Sequence, residues 1–429
     1  MTEEAIRQDN ISSMSEQQSL PQEASEQKKS AFNNNNGRSS DNNIDNPFYD
    51  PTLKARHAKA KRFKFFTIAS LVFSIAFLSF FLVDILVKGL PAFKQAYIQV
   101  EVNYNEKTLE STRSAIDRKY RRVVSRSWYR SIPLQVEKNP ALMNSSQKVW
   151  VLADDNVDQY LKGHYYKLKS KEVKLIEELK SSGDVELRFN TSFFTSGDSK
   201  IPENSGILSA MIGSILTLIV TMLVAFPIGV MTAVYLEEFA PDNRFTQIIE
   251  VNINNLAAIP SILFGLLGLA IFINLFGMPR SSPLVGGLTL ALMTLPIIIV
   301  SSRAALRSIP DSIRQAGYGL GLTKIQVTKD HVIPLAFPGI LTGSIIGLAQ
   351  AMGETAPLII VGMIAFIPDS PSSIFEAATV MPAQIFTWAG MPERAYIERT
   401  AAGIIVLLSI LISLNALAIY LRKRFEIKW

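Results

Sequence analysis

The sequence predicts an all-α polytopic membrane protein with six transmembrane helices and one additional domain of α/β or α+β class. Six apolar runs carry the helical prediction, at 65–87, 207–235, 256–277, 284–302, 335–366 and 400–421. A hydrocarbon core about 30 Å thick needs roughly 20 apolar residues in a helix, and a helix satisfies its own backbone hydrogen bonds in lipid. The additional domain is predicted from the long mixed segment 89–205, which separates the first two runs.

The segment 1–60, before the first run, is predicted to be a disordered cytoplasmic tail. Its first fifty residues are rich in Ser, Gln, Glu and Asn and contain almost no apolar stretch. Such a composition cannot bury enough apolar surface to offset the entropy of ordering. The N-terminus also lacks the basic residues and apolar core of a cleaved signal peptide, so we expect the tail to be retained in the cytosol.

Lysine and arginine residues set the expected orientation, because short cytoplasmic loops of membrane proteins carry an excess of both. Basic residues are concentrated before the first span, between spans four and five, and in the C-terminal segment 422–429. Six spans place these three segments on one face, which we assign to the cytoplasm. The chain is therefore predicted to lie in the inner membrane with both termini in the cytoplasm.

The segment 89–205 then falls on the periplasmic side, where its aromatic residues predict a small folded domain. Its strong basicity does not contradict this placement, because long translocated domains are exempt from the charge rule. The chain contains no cysteine, so no disulfide holds this domain. Its basic run 118–130 could face anionic lipid headgroups or a partner, or form an ordinary solvated face.

The polar insert 308–334, between spans four and five, is predicted to contain two short helices. Ser308 or Asp311 can cap the first helix, and Gly321 is placed to end it in a left-handed conformation. Thr323 can cap the second helix, which is expected to end before Pro334 opens span five. Three glycines, at 317, 319 and 321, give this surface little side-chain bulk. The insert therefore predicts a docking surface for another protein, with an ordinary helical loop as the alternative.

The run 335–366 is too long for one helix across the membrane, since it would extend roughly 48 Å. Gly353 and Pro357 bracket the expected break. Between them lies Glu354, and a carboxylate within a membrane run costs on the order of 3 kcal/mol and is usually functional. We therefore expect a pathway for a polar solute at Gly353, Glu354, Thr355 and Pro357, with Gln350 one helical turn earlier on the same face. A kink with an incidental carboxylate is the alternative.

Several activities are excluded by missing residues. The glycine-rich stretch 317–324 lacks the lysine that a Walker A loop requires after its second glycine, so the chain is not expected to hydrolyse ATP. Its three histidines lie far apart, and without cysteines no metal site is expected. No serine has the setting of a hydrolase nucleophile. The chain is predicted not to be an enzyme, and no nucleic-acid partner is expected.

The insert also resembles the coupling loop of type I ABC importer permeases. The spacing matches at Gln315-Ala316-Gly317, Gly321 and, nine residues later, His331-Val332-Ile333-Pro334, although glutamine replaces the family's glutamate and histidine its isoleucine. The stretches 353–358, 235–238 and 259–261 look like the PstA-type phosphate permease subunit. The resemblance covers roughly 207–421, the predicted permease domain, and leaves 1–60 and 89–205 outside it.

This resemblance implies a permease subunit of an ATP-driven phosphate importer working by alternating access. It implies that an ATPase subunit docks on Gln315, Ala316, Gly317, Gly321, His331, Ile333 and Pro334. The expected partners are a homologous second permease, a dimer of ATP-binding subunits, a periplasmic phosphate-binding protein and membrane lipids. No cofactor is expected in this chain, because ATP and Mg would be bound by the ATPase. The alternatives are import of another oxyanion, such as sulfate or molybdate, and a membrane sensor with an external ligand domain.

Overall fold

The computed structural model describes residues 52–425. The predicted disorder of residues 1–51 therefore lies outside the described residues. Residues 53–60, which were included in the predicted tail, are the start of a helix, so that boundary was wrong. The reason is local, because this stretch is rich in alanine, lysine and arginine, which all favour helix. The chain separates into two compact units after Leu78, within the same helix.

Helices dominate the described residues. In chain order they are α1 (Leu53–Gly89), α2 (Glu106–Glu110), α3 (Arg126–Lys138), α4 (Asp155–Leu161), α5 (Ser170–Ser182), α6 (Ser192–Thr195), α7 (Leu208–Val234), α8 (Arg244–Leu256), α9 (Ser261–Gly268), α10 (Pro283–Arg307), α11 (Asp311–Gly319), α12 (Lys324–Val327), α13 (Ile333–Gly353), α14 (Ala356–Ile360), α15 (Met381–Ala389) and α16 (Ala395–Phe425). Wider π-helical turns continue α7, α9 and α12, at Tyr235–Phe239, Leu269–Leu275 and Thr328–Val332.

Five helical stretches within residues 52–425 are long and apolar enough to cross a membrane, and a sixth results if the bent pair α8–α9 is one span. The five are Ala55–Phe93, Leu208–Phe239, Pro283–Arg307, Lys324–Gly353 and Ala395–Arg424. Each overlaps one of the predicted apolar runs.

The third predicted run, 256–277, differs from the structure. Helix α9 begins only at Ser261, and α8 meets it at a bend of 101°. Pro260 accounts for the break, because it lacks a backbone N–H and disfavours a helical conformation in the residue before it. Helix α8 was not predicted, since its mixed polar and apolar sequence forms no continuous apolar run. Helix α15 was likewise not predicted, because it lies between the fifth and sixth apolar runs.

Helices α7, α10 and α13 pack closely through small residues. A side chain at Gly229 would meet Ile298 at 2.7 Å, and one at Gly343 would clash with the Ser301 side chain. Without a hydrophobic driving force between helices in lipid, close backbone approach of this kind supplies much of the packing energy. The three helices therefore form the rigid centre of the membrane part.

Residues 94–189 form a domain of α+β class, here called the α+β domain. Its antiparallel sheet has strand order β2-β1-β3, with β1 at Lys94–Tyr104, β2 at Ser145–Leu152 and β3 at Val185–Phe189. Ile98 of the central strand, Ile132 of α3 and Ile176 of α5 are fully buried in its core. The expectation of a domain of mixed class between the first two spans is confirmed.

Candidate functional site

The polar insert contains the two predicted helices with altered ends. Pro310 occupies the N-cap of α11, so neither Ser308 nor Asp311 caps it. The Ser308 hydroxyl instead donates to the carbonyl of Ala305, at the end of α10. Gly321 has a φ of +80°, and thus adopts the predicted left-handed conformation after α11. Thr323 caps α12, where its hydroxyl accepts from the Gln326 backbone N–H while the Gln326 side chain accepts from the Thr323 backbone N–H.

The second helix of the insert was predicted to end before Pro334, and this was wrong. Helix α12 continues through the π-helical turn Thr328–Val332 into α13, and Lys324–Gly353 is one helical stretch. The π-helical turn shifts the hydrogen-bond register just where Pro334 has no N–H to donate, so the helix continues past the proline. Of the predicted docking residues in this part, His331 and Pro334 are exposed and Ile333 is partly buried.

The tip of the insert exposes two apolar side chains, Leu320 between two candidate membrane spans and Ile325 at the second residue of the span Lys324–Gly353. Leu320 is 82% exposed and Ile325 is 66% exposed, beside the exposed side chains of Gln315 and Ala316. Gly317 is not on this surface, because it is buried and a side chain there would meet Val327 at 2.7 Å. Gly317 therefore holds α11 against α12, which corrects its expected role in leaving room for a partner.

A network of ion pairs fixes the insert to the ends of α7 and α10. Arg314 of α11 contacts Glu238 at 2.7 Å and donates to the carbonyls of Leu306 and Ile309 at 3.1 and 2.8 Å. The Glu238 carboxylate is buried, and Arg314 is its only charged partner among the described residues. Charge-assisted hydrogen bonds of this kind are stronger than neutral ones.

Two further arginines extend this network. Arg303 contacts Glu237 at 3.3 Å and Glu250 at 2.6 Å, while Arg307 contacts Glu237 at 2.7 Å. Arg303 thus has two carboxylates within reach of its guanidinium group. We call these residues, with Arg314 and Glu238, the charged platform. The sequence shows opposite charges near the ends of these helices. Which arginine pairs with which carboxylate is known only from the fold.

The predicted break lies between α13 and α14. Helix α13 ends at Gly353, and Glu354 has extended backbone angles. Glu354 is the C-cap residue of α13 and follows Gln350 by one helical turn. The Glu354 carboxylate makes no hydrogen bond or ion pair with any residue in 52–425, and the same holds for the Thr355 hydroxyl.

Helix α14 brings the chain back against α9 and α10. A side chain at Gly265 would meet the backbone of Pro357 at 2.7 Å, so α14 packs directly on α9. At its end Gly362 turns with a φ of +98°, and its carbonyl accepts a hydrogen bond from the Ser281 hydroxyl at 2.7 Å. The second half of the predicted run 335–366 is thus a short re-entrant segment rather than the end of a span.

The interior beside this break has no room for a solute. The cavity between Thr217, Leu290 and Met352 measures about 10 Å³, which is at the lower limit for a single water molecule. Gln350 and Gly353, in contrast, are exposed on the outer surface of α13. A polar route that uses the predicted residues would therefore run along this surface of the chain.

Buried charges attach the α+β domain to the start of α16. Lys162 contacts both Asp158 and Glu398, and Glu398 also contacts His164 Nδ1 at 2.6 Å. Nearby, the Glu203 carboxylate accepts from the Ser125 hydroxyl at 2.6 Å, and burial raises the pKa of Glu203 to about 7. Trp388 donates to Asp198 at 3.0 Å in the same region. We call this set the buried seam, and no sequence pattern predicted it.

Comparison with known proteins identifies the family of about half of the chain. Residues 225–427 match the family described as binding-protein-dependent transport system inner membrane component, and residues 50–133 and 112–170 match a domain of unknown function, DUF3333. The probable ABC transporter permease protein YqgI of Bacillus subtilis is 30% identical over 52% of this chain and 81% of its own length. The phosphate transport system permease protein PstA 1 of Mycobacterium tuberculosis is 30% identical over 52% and 73%.

Among solved structures, the inward-facing MetNI methionine ABC transporter is 15% identical, covering 52% of this chain and 95% of that one with a TM-score of 0.38. The predicted resemblance to permeases of the PstA type is confirmed by the sequence relatives, as is the prediction of a transport subunit rather than an enzyme. The chain belongs to the family of ABC importer permeases, the membrane components of binding-protein-dependent transport systems.

Proposed function

We propose that this chain is one permease subunit of an ATP-driven importer of inorganic phosphate. The observation that carries the proposal is the tip of the polar insert, which presents Leu320 and Ile325 to solvent on a segment fixed by the charged platform. Exposed apolar patches on otherwise polar segments mark protein interaction sites. The occupant is a cytosolic ATP-binding subunit, whose dimer also binds the ATP and Mg.

The orientation of the chain in the membrane follows from assigning the polar insert to a cytosolic ATP-binding subunit. The insert and both termini lie in the cytoplasm, and the α+β domain lies on the opposite side, where a phosphate-binding protein delivers the solute. ATP-driven closure of the ATPase dimer moves the insert. Because α12 continues into α13 as one helical stretch, that motion is transmitted directly to Gly353 and the break beyond it, which gives alternating access.

The solute route runs between this chain and a homologous second permease. The interior beside Met352 is closed, whereas Gln350 and Gly353 face outward and Glu354 has no partner within residues 52–425. Glu354 either pairs with an arginine of the second permease or accepts a hydrogen bond from protonated phosphate. Sulfate at neutral pH has no proton to donate, so only the second arrangement selects phosphate over sulfate. The similarity to phosphate permeases supports phosphate as the cargo.

Uptake of radiolabelled phosphate into proteoliposomes containing the complete complex tests this proposal. We expect uptake that requires ATP and is reduced by unlabelled phosphate but not by sulfate or molybdate. Glu354→Gln should weaken discrimination against sulfate by about tenfold, because the amide can donate a hydrogen bond to an unprotonated anion. Asp369→Asn is the matched control, since Asp369 is exposed on the loop beyond the re-entrant segment.

Two results would contradict parts of the account. Normal rates and selectivity in both Glu354→Gln and Glu354→Ala would remove Glu354 from the route. Uptake inhibited equally by sulfate or molybdate would establish a broader oxyanion importer with the same architecture.

A further inference from the structure

The α+β domain contains a large basic cleft that is separate from the predicted solute route. The cleft has a volume of about 1000 Å³, and nine arginine and lysine side chains line it against the two carboxylates Asp154 and Glu172. It includes the basic run 118–130, for which the sequence left a headgroup contact, a partner contact or a solvated face open. A solvated face would be convex or flat, whereas these side chains surround a concavity.

Four of the lining arginines have no internal partner. Arg113, Arg118, Arg126 and Arg130 make no hydrogen bond or ion pair with any residue from 52 to 425. In the same cleft Arg122 contacts Glu172 at 3.3 Å, and Asp154 accepts hydrogen bonds from the backbone and side chain of Asn156, so both lining carboxylates already have partners. Concentrating unpaired positive charge in a concavity is unfavourable unless an anion neutralises it.

Tyr129 supplies an independent indication of a ligand. It lines the cleft, is 5% exposed, and its hydroxyl has no hydrogen-bond partner among the described residues. A buried hydroxyl without a partner costs about 1–3 kcal/mol. Burial raises the pKa of Tyr129 to about 12, so the group is a neutral phenol that can donate a hydrogen bond.

We propose that this cleft binds a ligand with several linked phosphate groups, which accept hydrogen bonds from the Tyr129 hydroxyl and from the surrounding guanidinium groups. The planar guanidinium group of arginine donates two parallel hydrogen bonds to two oxygens of one phosphate. The predominance of arginine over lysine at the positions without an internal partner fits that geometry. The volume exceeds what a single phosphate ion would fill, which favours a chain of phosphates. The shared chemistry, several closely spaced phosphates, can come from a soluble polyphosphate or from neighbouring phosphate headgroups at a lipid surface. The inference does not depend on the proposed transport function.

Calorimetric titration of the full-length protein in neutral phosphatidylcholine nanodiscs, with sodium tripolyphosphate and with orthophosphate, tests the proposal. We expect tripolyphosphate to bind at least about ten times more tightly than orthophosphate, because it engages several guanidinium groups at once. Arg126→Gln combined with Arg130→Gln should weaken tripolyphosphate binding by about tenfold or more. Both side chains are exposed on α3, so folding should be unaffected, and thermal unfolding of each variant verifies this.

The matched control carries the same loss of charge outside the cleft. Lys148→Gln combined with Lys174→Gln removes two exposed lysines of the same domain that do not line the cleft, and should leave the affinity within about twofold. Tyr129→Phe tests the specific contact, since it removes the hydroxyl without changing charge. Failure of the wild type to bind tripolyphosphate, or equal losses in the cleft and control variants, would overturn the proposal.

Adding phosphatidylglycerol to the nanodiscs distinguishes the two sources of phosphate. If the natural ligand is soluble, the wild type should still bind tripolyphosphate more tightly than the Arg126→Gln, Arg130→Gln variant when phosphatidylglycerol is present. Occupancy by lipid headgroups abolishes that difference, which assigns the cleft to the membrane surface while preserving the phosphate chemistry.

Discussion

The charged platform and the buried seam both join separate parts of the molecule through ion pairs, but they differ in exposure. In the seam, the Lys162 and Glu398 side chains are only 6% and 7% exposed. The platform is mixed, because Arg307 is 60% and Glu250 31% exposed whereas Glu238 is only 5% exposed. Separating a buried pair leaves charges without solvent, whereas exposed pairs can be exchanged for water at little cost. The seam therefore suits a permanent attachment, whereas in the platform only the exposed pairs, such as Arg307 with Glu237, can be exchanged for water at little cost.

The largest expected effect comes from removing the cation of the seam. Lys162→Met leaves the buried carboxylates of Asp158 and Glu398 without it, which should lower the free energy of unfolding by about 3–5 kcal/mol. Burial already raises the pKa of Asp158, so the loss should be greater at pH 8 than at pH 5. The midpoint of thermal unfolding in detergent measures both effects.

The control is Lys88→Met, which removes an exposed pair with Asp84 and should change the free energy of unfolding by less than about 1 kcal/mol. Equal shifts for the two variants would mean that the seam is no more important than a surface ion pair.

The second-largest expected effect is the change in stability with pH that the buried Glu203 causes. Its ordinary pKa of 4.5 is raised to about 7 in the folded protein, so the folded state binds a proton more tightly than the unfolded state. The contribution of Glu203 to stability should be fully present below pH 4.5 and should be lost as the pH rises to about 7, a change of roughly 3 kcal/mol. Glu203→Gln should remove this contribution and be more stable than wild type at pH 8. Glu137→Gln, on the exposed face of α3, should leave the pH profile unchanged. An unaltered profile in Glu203→Gln would exclude Glu203 as its source.

The smallest expected effects come from substituting two arginines of the charged platform, Arg314 and Arg307. Arg314→Ala removes the partner of the buried Glu238 and two carbonyl hydrogen bonds, which should cost about 2 kcal/mol and lower phosphate uptake per ATP hydrolysed. Arg307→Ala removes an exposed ion pair and should cost less than about 1 kcal/mol. Thermal unfolding and the ratio of uptake to ATP hydrolysis measure these differences. If both variants retain the wild-type ratio, the platform does not transmit motion.

Patterns that are local in the chain predicted much of this structure. Apolar length located the spans, and Gly321 and Thr323 marked the corner of the insert because their roles depend only on adjacent backbone. The sequence did not reveal that Gly317 faces Val327, that Arg303 reaches two carboxylates, or that Lys162 lies beside Glu398, which is 236 residues away. These contacts depend on how the helices and strands pack against one another, and the spacing of residues along the chain does not predict that packing. The basic run 118–130 was visible as composition, but only the fold shows that its side chains surround a cleft.

Site-specific crosslinking at Leu320 tests the central claim most directly. The chain contains no cysteine, so Leu320→Cys introduces a single thiol at the exposed tip of the insert. The account predicts that this variant crosslinks to the ATP-binding subunit in the assembled complex, whereas Lys174→Cys, in the α+β domain, does not. Crosslinking from Lys174→Cys to the ATP-binding subunit, or its absence from both Leu320→Cys and Ile325→Cys, would contradict the assignment of the polar insert as the ATPase docking surface.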